Sequence, residues 1–223
     1  MSKNILIVGA SGLVGSNILE HLEKQDSKIT LLLRRRLEDK AHLKQIITEF
    51  NNLDNLDEIQ PIDEVYIAIG KKLSLVELLY LKKRKREQFE LIDFDYIKNI
   101  ALFAKKLGAK SLGLISAVGA NENSRNIYLS VKGKIEKEII SMGFEKIVIA
   151  QPGHLLGKRQ HEDSKFLIYV FEKITNILGY MMIGPLKKFR NIDASLVAKA
   201  LISKMGDKHG GIDFLNFNDF KNQ

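Results

Sequence analysis

The sequence of 223 residues predicts an α/β fold, a doubly wound parallel sheet covered by helices in three α/β/α layers. Two observations lead to this prediction. Short runs of consecutive apolar residues recur along the chain, as in strands that are covered on both faces. Segments with helical periodicity separate these runs, and such alternation favours parallel strands joined by right-handed crossovers.

The apolar runs and the helical segments can be placed individually. We predict strands at Ile5–Val8, Ile29–Leu33, Gln45–Thr48, Val65–Ile69, Leu112–Ser116, Lys146–Ala150 and Ile212–Leu215. We predict helices at Leu13–Gln25, Leu73–Leu107, Asn126–Met142, Ser164–Leu178 and Ala194–Met205. The second helical segment is too long for one ordinary crossover helix, so we expect it to break near the basic run Lys82–Arg86.

The composition indicates one globular domain over residues 1–223, with 45% hydrophobic and 28% charged residues. No linker-like segment divides the chain, and we expect residues 151–223 to add a small cap on the substrate side. There is no cysteine, which excludes disulfides and thiolate nucleophiles and fits a cytoplasmic location. No secretory signal or membrane-spanning segment is recognised, so a soluble protein is expected.

The formal net charge of +8 favours anionic partners, including nucleic acids and phosphorylated cofactors. Part of the excess lies in the run Lys82–Arg86. A solvated helix face is the simpler interpretation of that run. Because no nucleic-acid-binding motif accompanies it, we do not expect DNA or RNA binding.

The strongest motif is a glycine loop with the spacing GxxGxxG directly after the first predicted strand. Its glycines would permit a tight turn, a close approach to a pyrophosphate and close packing of helix on strand. The helix that follows offers free N–H groups to phosphates. A purely structural glycine turn is the alternative. The predicted cofactor contacts in this loop are Gly9, Ser11, Gly12, Leu13, Val14 and Gly15.

Basic residues after the second predicted strand bear on the choice of cofactor. An NAD site places a carboxylate there to bind the ribose 2′-hydroxyl, whereas this chain has Arg34 and Arg35. A guanidinium pairs with a 2′-phosphate, so NADP(H) is preferred and NAD(H) stays possible. The alternative is a solvated arginine turn. Phe50, after the third strand, is expected near the adenine.

A second motif combines Tyr128 and Lys132 on one helical face with Ser116 at a strand end. Tyr128 is the predicted acid/base, and the Lys132 cation is expected to lower its pKa from about 10. Ser116 is expected to orient the substrate oxygen. The alternative is an amphipathic helix surface with a half-buried tyrosine.

Lesser candidates surround this motif. Asn99 is predicted to complete a proton relay, with a polar surface position as the alternative. Pro152 and Gly153 are predicted to shape the nicotinamide pocket, although an ordinary strand-end turn has the same appearance. His154 and His161 lack metal-ligand spacing with acidic partners, so no metal is predicted.

Two longer stretches carry a family resemblance. Residues 115–137 resemble the atypical short-chain dehydrogenase/reductases grouped with the Tat-interacting protein TIP30 and related NmrA-like proteins, and residues 151–160 resemble the Pro-Gly-x-Leu-Leu-x-x-Arg-Gln segment of that group. The resemblance extends from Asn4 to about Ala200. It implies a Rossmann fold, NADPH binding and a retained Ser/Tyr/Lys set. Residues 71–90 depart from the family pattern, being longer and more basic.

Three functional hypotheses follow from these observations. The first is an NADP(H)-dependent oxidoreductase that reduces a small carbonyl compound or oxidises the alcohol. The second is a non-catalytic NADPH-binding regulator that acts through a protein partner, since some members of the resembling group act in that way. The third is a nucleotide-sugar epimerase or dehydratase. A homo-oligomer is possible under each hypothesis.

Overall fold

Seven parallel strands form one sheet in the computed structural model, which describes residues 2–51, 53, 56, 60–74, 77–78, 80–157 and 190–222. The strands are β1 (Lys3–Val8), β2 (Ser27–Leu33), β3 (Lys44–Ile47), β4 (Glu64–Ile67), β5 (Ser111–Ile115), β6 (Lys146–Ala150) and, last in the chain, β9 (Gly211–Leu215). All seven predicted strands are confirmed, with ends that agree within two residues. Their order is β3-β2-β1-β4-β5-β6-β9.

Helices connect the strands of this sheet. They are α1 (Leu13–Leu22), α2 (Lys83–Glu90), α3 (Ile97–Lys106), α4 (Ile127–Ser141), α5 (Ala194–Gly206) and α6 (Phe217–Lys221), with a 3₁₀ turn at Glu38–Lys40 and a π-helical turn at Leu91–Tyr96. The predicted break is confirmed, because Lys82 has an extended backbone and α2 begins at the next residue. The predicted helix Ser164–Leu178 lies outside the described residues.

Apolar side chains cover both faces of the sheet. Ile7 and Leu31 pack on one face in a cluster shared with α1 and α5, whereas Leu6 and Leu114 pack on the other with α3 and α4. Neighbouring residues of β1 thus enter different clusters, because successive side chains of a strand point to opposite faces. This arrangement confirms the three predicted layers.

The strand order places the ligand site. The chain winds outward from β1 in one direction through β2 and β3, and in the other direction from β4 onward. In open α/β sheets, ligands bind beside the carboxyl ends of the strands where the winding reverses. For this chain that point lies between β1 and β4.

The C-terminal third of the chain does not form the single cap that was predicted over residues 151–223. Strand β9 pairs with β6 along its length and α5 packs beside α1, so residues 194–222 belong to the main layers rather than to a cap. A two-stranded parallel pair, β7 (Leu155–Leu156) and β8 (Ile192–Asp193), lies outside the main sheet. Residues 158–189 of the predicted cap lie outside the described residues. No described helix is long and apolar enough to cross a membrane.

Candidate functional site

The glycine loop brings the end of β1, the start of α1 and the end of β4 into close contact. Gly9 has φ +93°, and a Cβ atom there would lie 2.6 Å from the carbonyl carbon of Ala68. A Cβ atom on Gly15 would lie 2.0 Å from the Gly9 carbonyl oxygen. The Gly12 N–H donates to that oxygen at 2.8 Å. Only glycine fits positions 9 and 15, since any side chain would displace the backbone.

The start of α1 is suited to an anion. Gly12 is the N-cap, has an extended backbone and gives the helix no side-chain cap. The first N–H groups of a helix lack intrahelical partners and carry partial positive charge. Val14 anchors the helix in the core, and Ser11 is exposed at the turn. Leu13 faces the returning chain, because a Cβ on Gly157 would lie 2.8 Å from Leu13 Cδ1. This cradle fits a dinucleotide diphosphate.

The arginine pair follows β2 on the same edge of the sheet. Arg34 and Arg35 are exposed, and neither forms an ion pair with another described residue; Arg36 lies 4.0 Å from Glu38. Their guanidinium groups are therefore available to a phosphate. The ring of Phe50 is buried and forms a T-shaped contact with the ring of Tyr96 at a centroid distance of 5.7 Å. That packing does not support the predicted contact between this ring and adenine.

A buried ion pair lies at the centre of the site. Lys132 Nζ lies 2.8 Å from Asp93 Oδ1, and the two side chains are 6% and 1% exposed. The second oxygen of Asp93 accepts a hydrogen bond of 2.7 Å from the Lys71 backbone N–H. Gly70 makes room for the pair, since a Cβ there would lie 3.1 Å from Asp93 Oδ1. A charged pair this deeply buried persists only when both partners are held in place.

The π-helical turn explains how Asp93 reaches Lys132. The turn lies between α2 and α3, and Asp93 is its third residue. Inserting a π turn adds one residue to a helix and rotates the side chains on one side of the turn relative to those on the other, and such turns are frequent at functional sites. No residue pattern in the sequence marks a π turn, so the role of Asp93 could not be predicted from the sequence.

Tyr128 lies one helical turn before Lys132 on α4. Its ring packs against the ring of Phe89 at 5.7 Å with an interplanar angle of 37°. Burial raises the pKa of Tyr128, the Lys132 cation acts to lower it, and Asp93 acts to raise it again. The net shift is upward. The predicted lowering of the pKa by Lys132 is therefore outweighed, and Tyr128 is a protonated phenol at neutral pH.

Lys132 keeps its proton for an electrostatic reason. Burial acts to lower its pKa, but attraction to Asp93 raises it, with further contributions from Tyr128 and Glu136. The pKa of Lys132 is raised overall. A buried lysine without a counter-ion would lose its charge. Asp93 thus fixes Lys132 as a cation and donor beside Tyr128.

The hydroxyl of Ser116 points elsewhere than predicted. Ser116 is buried, and its Oγ donates a short hydrogen bond to Glu136. The side-chain amide of Gln151 donates to both oxygens of Glu136 at 3.0 Å. Burial raises the pKa of Glu136, although these two hydrogen bonds and Lys132 act to lower it. Because the Ser116 proton is directed at Glu136, the geometry does not support its predicted role as an anchor for a carbonyl oxygen.

Asn99 is directed away from the predicted proton relay. Its side-chain amide donates to the Phe50 backbone carbonyl at 3.1 Å. The position beside Lys132 is occupied by Asp93 instead. The geometry therefore does not support the relay role predicted for Asn99, and a carboxylate within the π turn lies beside Lys132 in its place.

Pro152 and Gly153 follow β6 at the same edge. The Pro152 carbonyl accepts a 3.0 Å hydrogen bond from the Val118 N–H, which connects the loops after β5 and β6. Their contact with a nicotinamide stays a prediction. Among the described residues, no group of three or more His, Cys, Asp or Glu side chains is arranged to hold a metal ion.

The parallel sheet, the glycine cradle and the half-buried Tyr128 next to the buried Lys132 together define a nicotinamide-dinucleotide-binding protein of the Rossmann class. The sequence profile of the NAD dependent epimerase/dehydratase family matches residues 5–195. The chain belongs to this family.

Similar proteins include fungal mitochondrial proteins and a rat protein. Protein FMP52, mitochondrial, of Candida albicans is 33% identical over 198 residues, which span 88% of this chain and 85% of that protein. Protein HTATIP2 of Rattus norvegicus is 32% identical over 166 residues, 71% of this chain and 65% of that protein. These relatives confirm the resemblance to the atypical, TIP30-like dehydrogenase/reductases. The predicted cytoplasmic location stays a prediction, since the fungal relatives are named mitochondrial.

Solved structures show the same fold. MoeE5 in complex with UDP-glucose and NAD superposes with a TM-score of 0.70 at 14% identity, over 97% of this chain and 79% of that chain. A UDP-N-acetylglucosamine 4-epimerase from Methanobrevibacter ruminantium gives 0.69 at 17% identity, over 99% and 80% of the two chains. At such identities the likeness extends to the fold alone.

Proposed function

We propose that this protein is an NADP(H)-dependent oxidoreductase that reduces a carbonyl compound, with Tyr128 as the proton donor. The observation that carries the proposal is the half-buried Tyr128 beside the buried Lys132–Asp93 ion pair, at the sheet edge that also holds the glycine loop. A phenol held protonated beside a fixed cation is suited to giving a proton to a developing alkoxide. The bound dinucleotide supplies the hydride.

The roles of the chain's own groups follow from their charges. Tyr128 transfers its proton to the carbonyl oxygen as negative charge develops there. Lys132 stabilises the resulting phenolate by its positive charge, and Asp93 holds Lys132 in position and in its charged form. Gly9, Gly12 and Gly15 allow the backbone to approach the diphosphate, and Arg34 and Arg35 bind the 2′-phosphate.

The preference for NADP(H) is tested by replacing Arg34 with Ala. A charge-assisted hydrogen bond to phosphate is worth about 1.5–3 kcal/mol, so we expect NADPH affinity to fall about tenfold or more while NADH affinity barely changes. Fluorescence titration with both cofactors measures the effect, with Arg36→Ala as the matched control because Arg36 lies near Glu38. Equal losses for NADPH and NADH would refute the 2′-phosphate contact.

The proposed activity is tested by incubating the protein with NADPH and a panel of aldehydes and ketones. We expect NADPH consumption with formation of one equivalent of alcohol. Saturable NADPH binding without turnover of any carbonyl compound would remove the oxidoreductase proposal.

One observation favours the second candidate function, a cofactor-binding regulator. The Ser116 hydroxyl donates its hydrogen bond to Glu136, and the ring of Tyr128 packs against the ring of Phe89. A site with fewer free hydroxyl groups suits cofactor sensing better than turnover. A protein partner that binds only in the presence of NADPH, together with no carbonyl turnover, would favour this alternative.

A further inference from the structure

Among the described residues of the segment 71–90, Leu73, Leu81 and Phe89 form an apolar wall against Tyr128. Leu81 and Phe89 are buried in one cluster with Val131, and Tyr128 packs against that cluster. The segment is fastened to the start of α4, because the Asn126 side chain donates to the Leu78 carbonyl at 2.7 Å. This segment therefore covers part of the Tyr128 ring.

The same segment carries much of the chain's positive charge. Residues 71–90 include seven Lys or Arg and three Glu, a net +4 of the total +8. The side chains of Lys82–Lys85, at and just before the start of α2, are exposed, as a solvated face requires. Lys85 is neutralised by an ion pair with Glu77. The positive charge is thus concentrated beside the proposed reaction site.

Two cations in this segment differ from Lys85 because neutral groups hold them. Half-buried Arg86 donates through Nε to the Leu81 carbonyl at 2.9 Å. Lys71 Nζ donates to the side-chain oxygen of Gln88 at 2.6 Å. Neither cation forms an ion pair with a carboxylate in the described part of the chain. Arg86 and Lys71 are thus positioned by hydrogen bonds to neutral groups, without a carboxylate partner among the residues that the structure describes.

The positions of Arg86 and Lys71 can be described relative to Phe89. At 100° per residue, Arg86 and Gln88 project on opposite sides of Phe89 on α2. Phe89 in turn packs against Tyr128. Arg86, and Lys71 through Gln88, therefore flank the apolar contact that covers the phenol. Lys71 is also tied to the ion pair itself, since its backbone N–H donates to Asp93.

We propose that the substrate carries an anionic group, a carboxylate or a phosphate, which Arg86 and Lys71 bind at the rim of the apolar wall. The non-polar body of the substrate then lies against the partly exposed Leu73 and Ile127. A half-buried guanidinium with a neutral partner gains a charge-assisted hydrogen bond when an anion arrives. The reducible carbonyl rests on the proposed function, whereas the anionic group can be tested by binding alone.

The test uses matched aromatic compounds with the protein–NADPH complex. Benzyl alcohol and 4-(hydroxymethyl)benzoate differ only in the carboxylate, and neither can react with reduced cofactor. We expect calorimetry to show about tenfold or more tighter binding of the anion, a difference that shrinks in Arg86→Gln and Lys71→Gln. Arg84→Gln, the same charge change on the far side of α2 from Phe89, should keep the wild-type preference.

Three outcomes would overturn the proposal: equal affinity for both compounds, binding of neither, or an equal loss of preference in Arg84→Gln. Reduction assays with benzaldehyde and 4-carboxybenzaldehyde distinguish a failure of the anion-site proposal from a failure of the proposed function. Reduction of both at equal efficiency contradicts the anionic substrate alone. Selective binding of the anionic compound without reduction of either aldehyde supports the anion site at Arg86 and Lys71. It contradicts only the proposed oxidoreductase activity. A further pair, 4-(hydroxymethyl)phenyl phosphate against the benzoate, shows whether phosphate or carboxylate is preferred.

Discussion

Replacing Tyr128 with Phe is expected to lower the rate of carbonyl reduction by about a hundredfold to ten-thousandfold, the usual contribution of a positioned proton donor. The substitution removes one hydroxyl and keeps the ring that packs against Phe89 at 5.7 Å, so the fold and the NADPH affinity should persist. Single-turnover reduction, followed by the loss of NADPH absorbance, measures the effect on the chemical step.

The control for this variant is Tyr80→Phe. Tyr80 is 65% exposed, and loss of its hydroxyl should leave the rate unchanged. A Tyr128→Phe protein that binds NADPH and reduces the carbonyl compound at the wild-type rate would show that Tyr128 is not the proton donor.

Replacing Asp93 with Asn is expected to lower the free energy of unfolding by about 3–5 kcal/mol, the cost of leaving one member of a buried ion pair without its counter-ion. Lys132 has a side-chain exposure of 6%, so bulk solvent replaces little of the lost interaction with the carboxylate. Without Asp93 the pKa of Lys132 falls, because Asp93 is the main group that raises it. Urea denaturation at neutral pH measures the change in stability.

Two matched variants make this second prediction specific. Glu138→Gln breaks the ion pair between Lys98 and Glu138 on α4, which is about one-third exposed and should cost less than about 1 kcal/mol. The double variant Asp93→Asn/Lys132→Met removes both buried charges and should lose less stability than the two single losses added together. If Asp93→Asn costs no more than Glu138→Gln, the buried pair does not hold the site together.

Most of the fold could be predicted from the sequence because both-face burial leaves a clear pattern. Strands such as β1 and β6 are apolar at consecutive positions, and the glycine loop after β1 marks the first crossover. The course of residues 194–222 was harder to predict. Whether a terminal helix and strand join the main sheet or a cap depends on long-range pairing, here between β9 and β6, which leaves no local signal.

The site was predicted in part. The spacing of Tyr128 and Lys132 on one helical face gave their proximity directly. The position of Asp93 beside Lys132 could be predicted only with knowledge of the π turn. This distortion depends on how the turn packs against α4 rather than on residue type. Glu136, by contrast, could have been found, since it lies one turn beyond Lys132 on the same face. Its buried carboxylate accepts the hydrogen bond from the Ser116 hydroxyl.

The most direct measurement of the central claim is a fluorescence titration of the protein with NADPH, alongside Gly15→Ala and Gly206→Ala. A Cβ on Gly15 would lie 2.0 Å from the Gly9 carbonyl oxygen, whereas one on Gly206 meets no atom within 4 Å. The cradle at the end of β1 predicts saturable binding by the wild type and Gly206→Ala, and loss of binding in Gly15→Ala. Absence of saturable binding by the wild type, or wild-type affinity in Gly15→Ala, would contradict it.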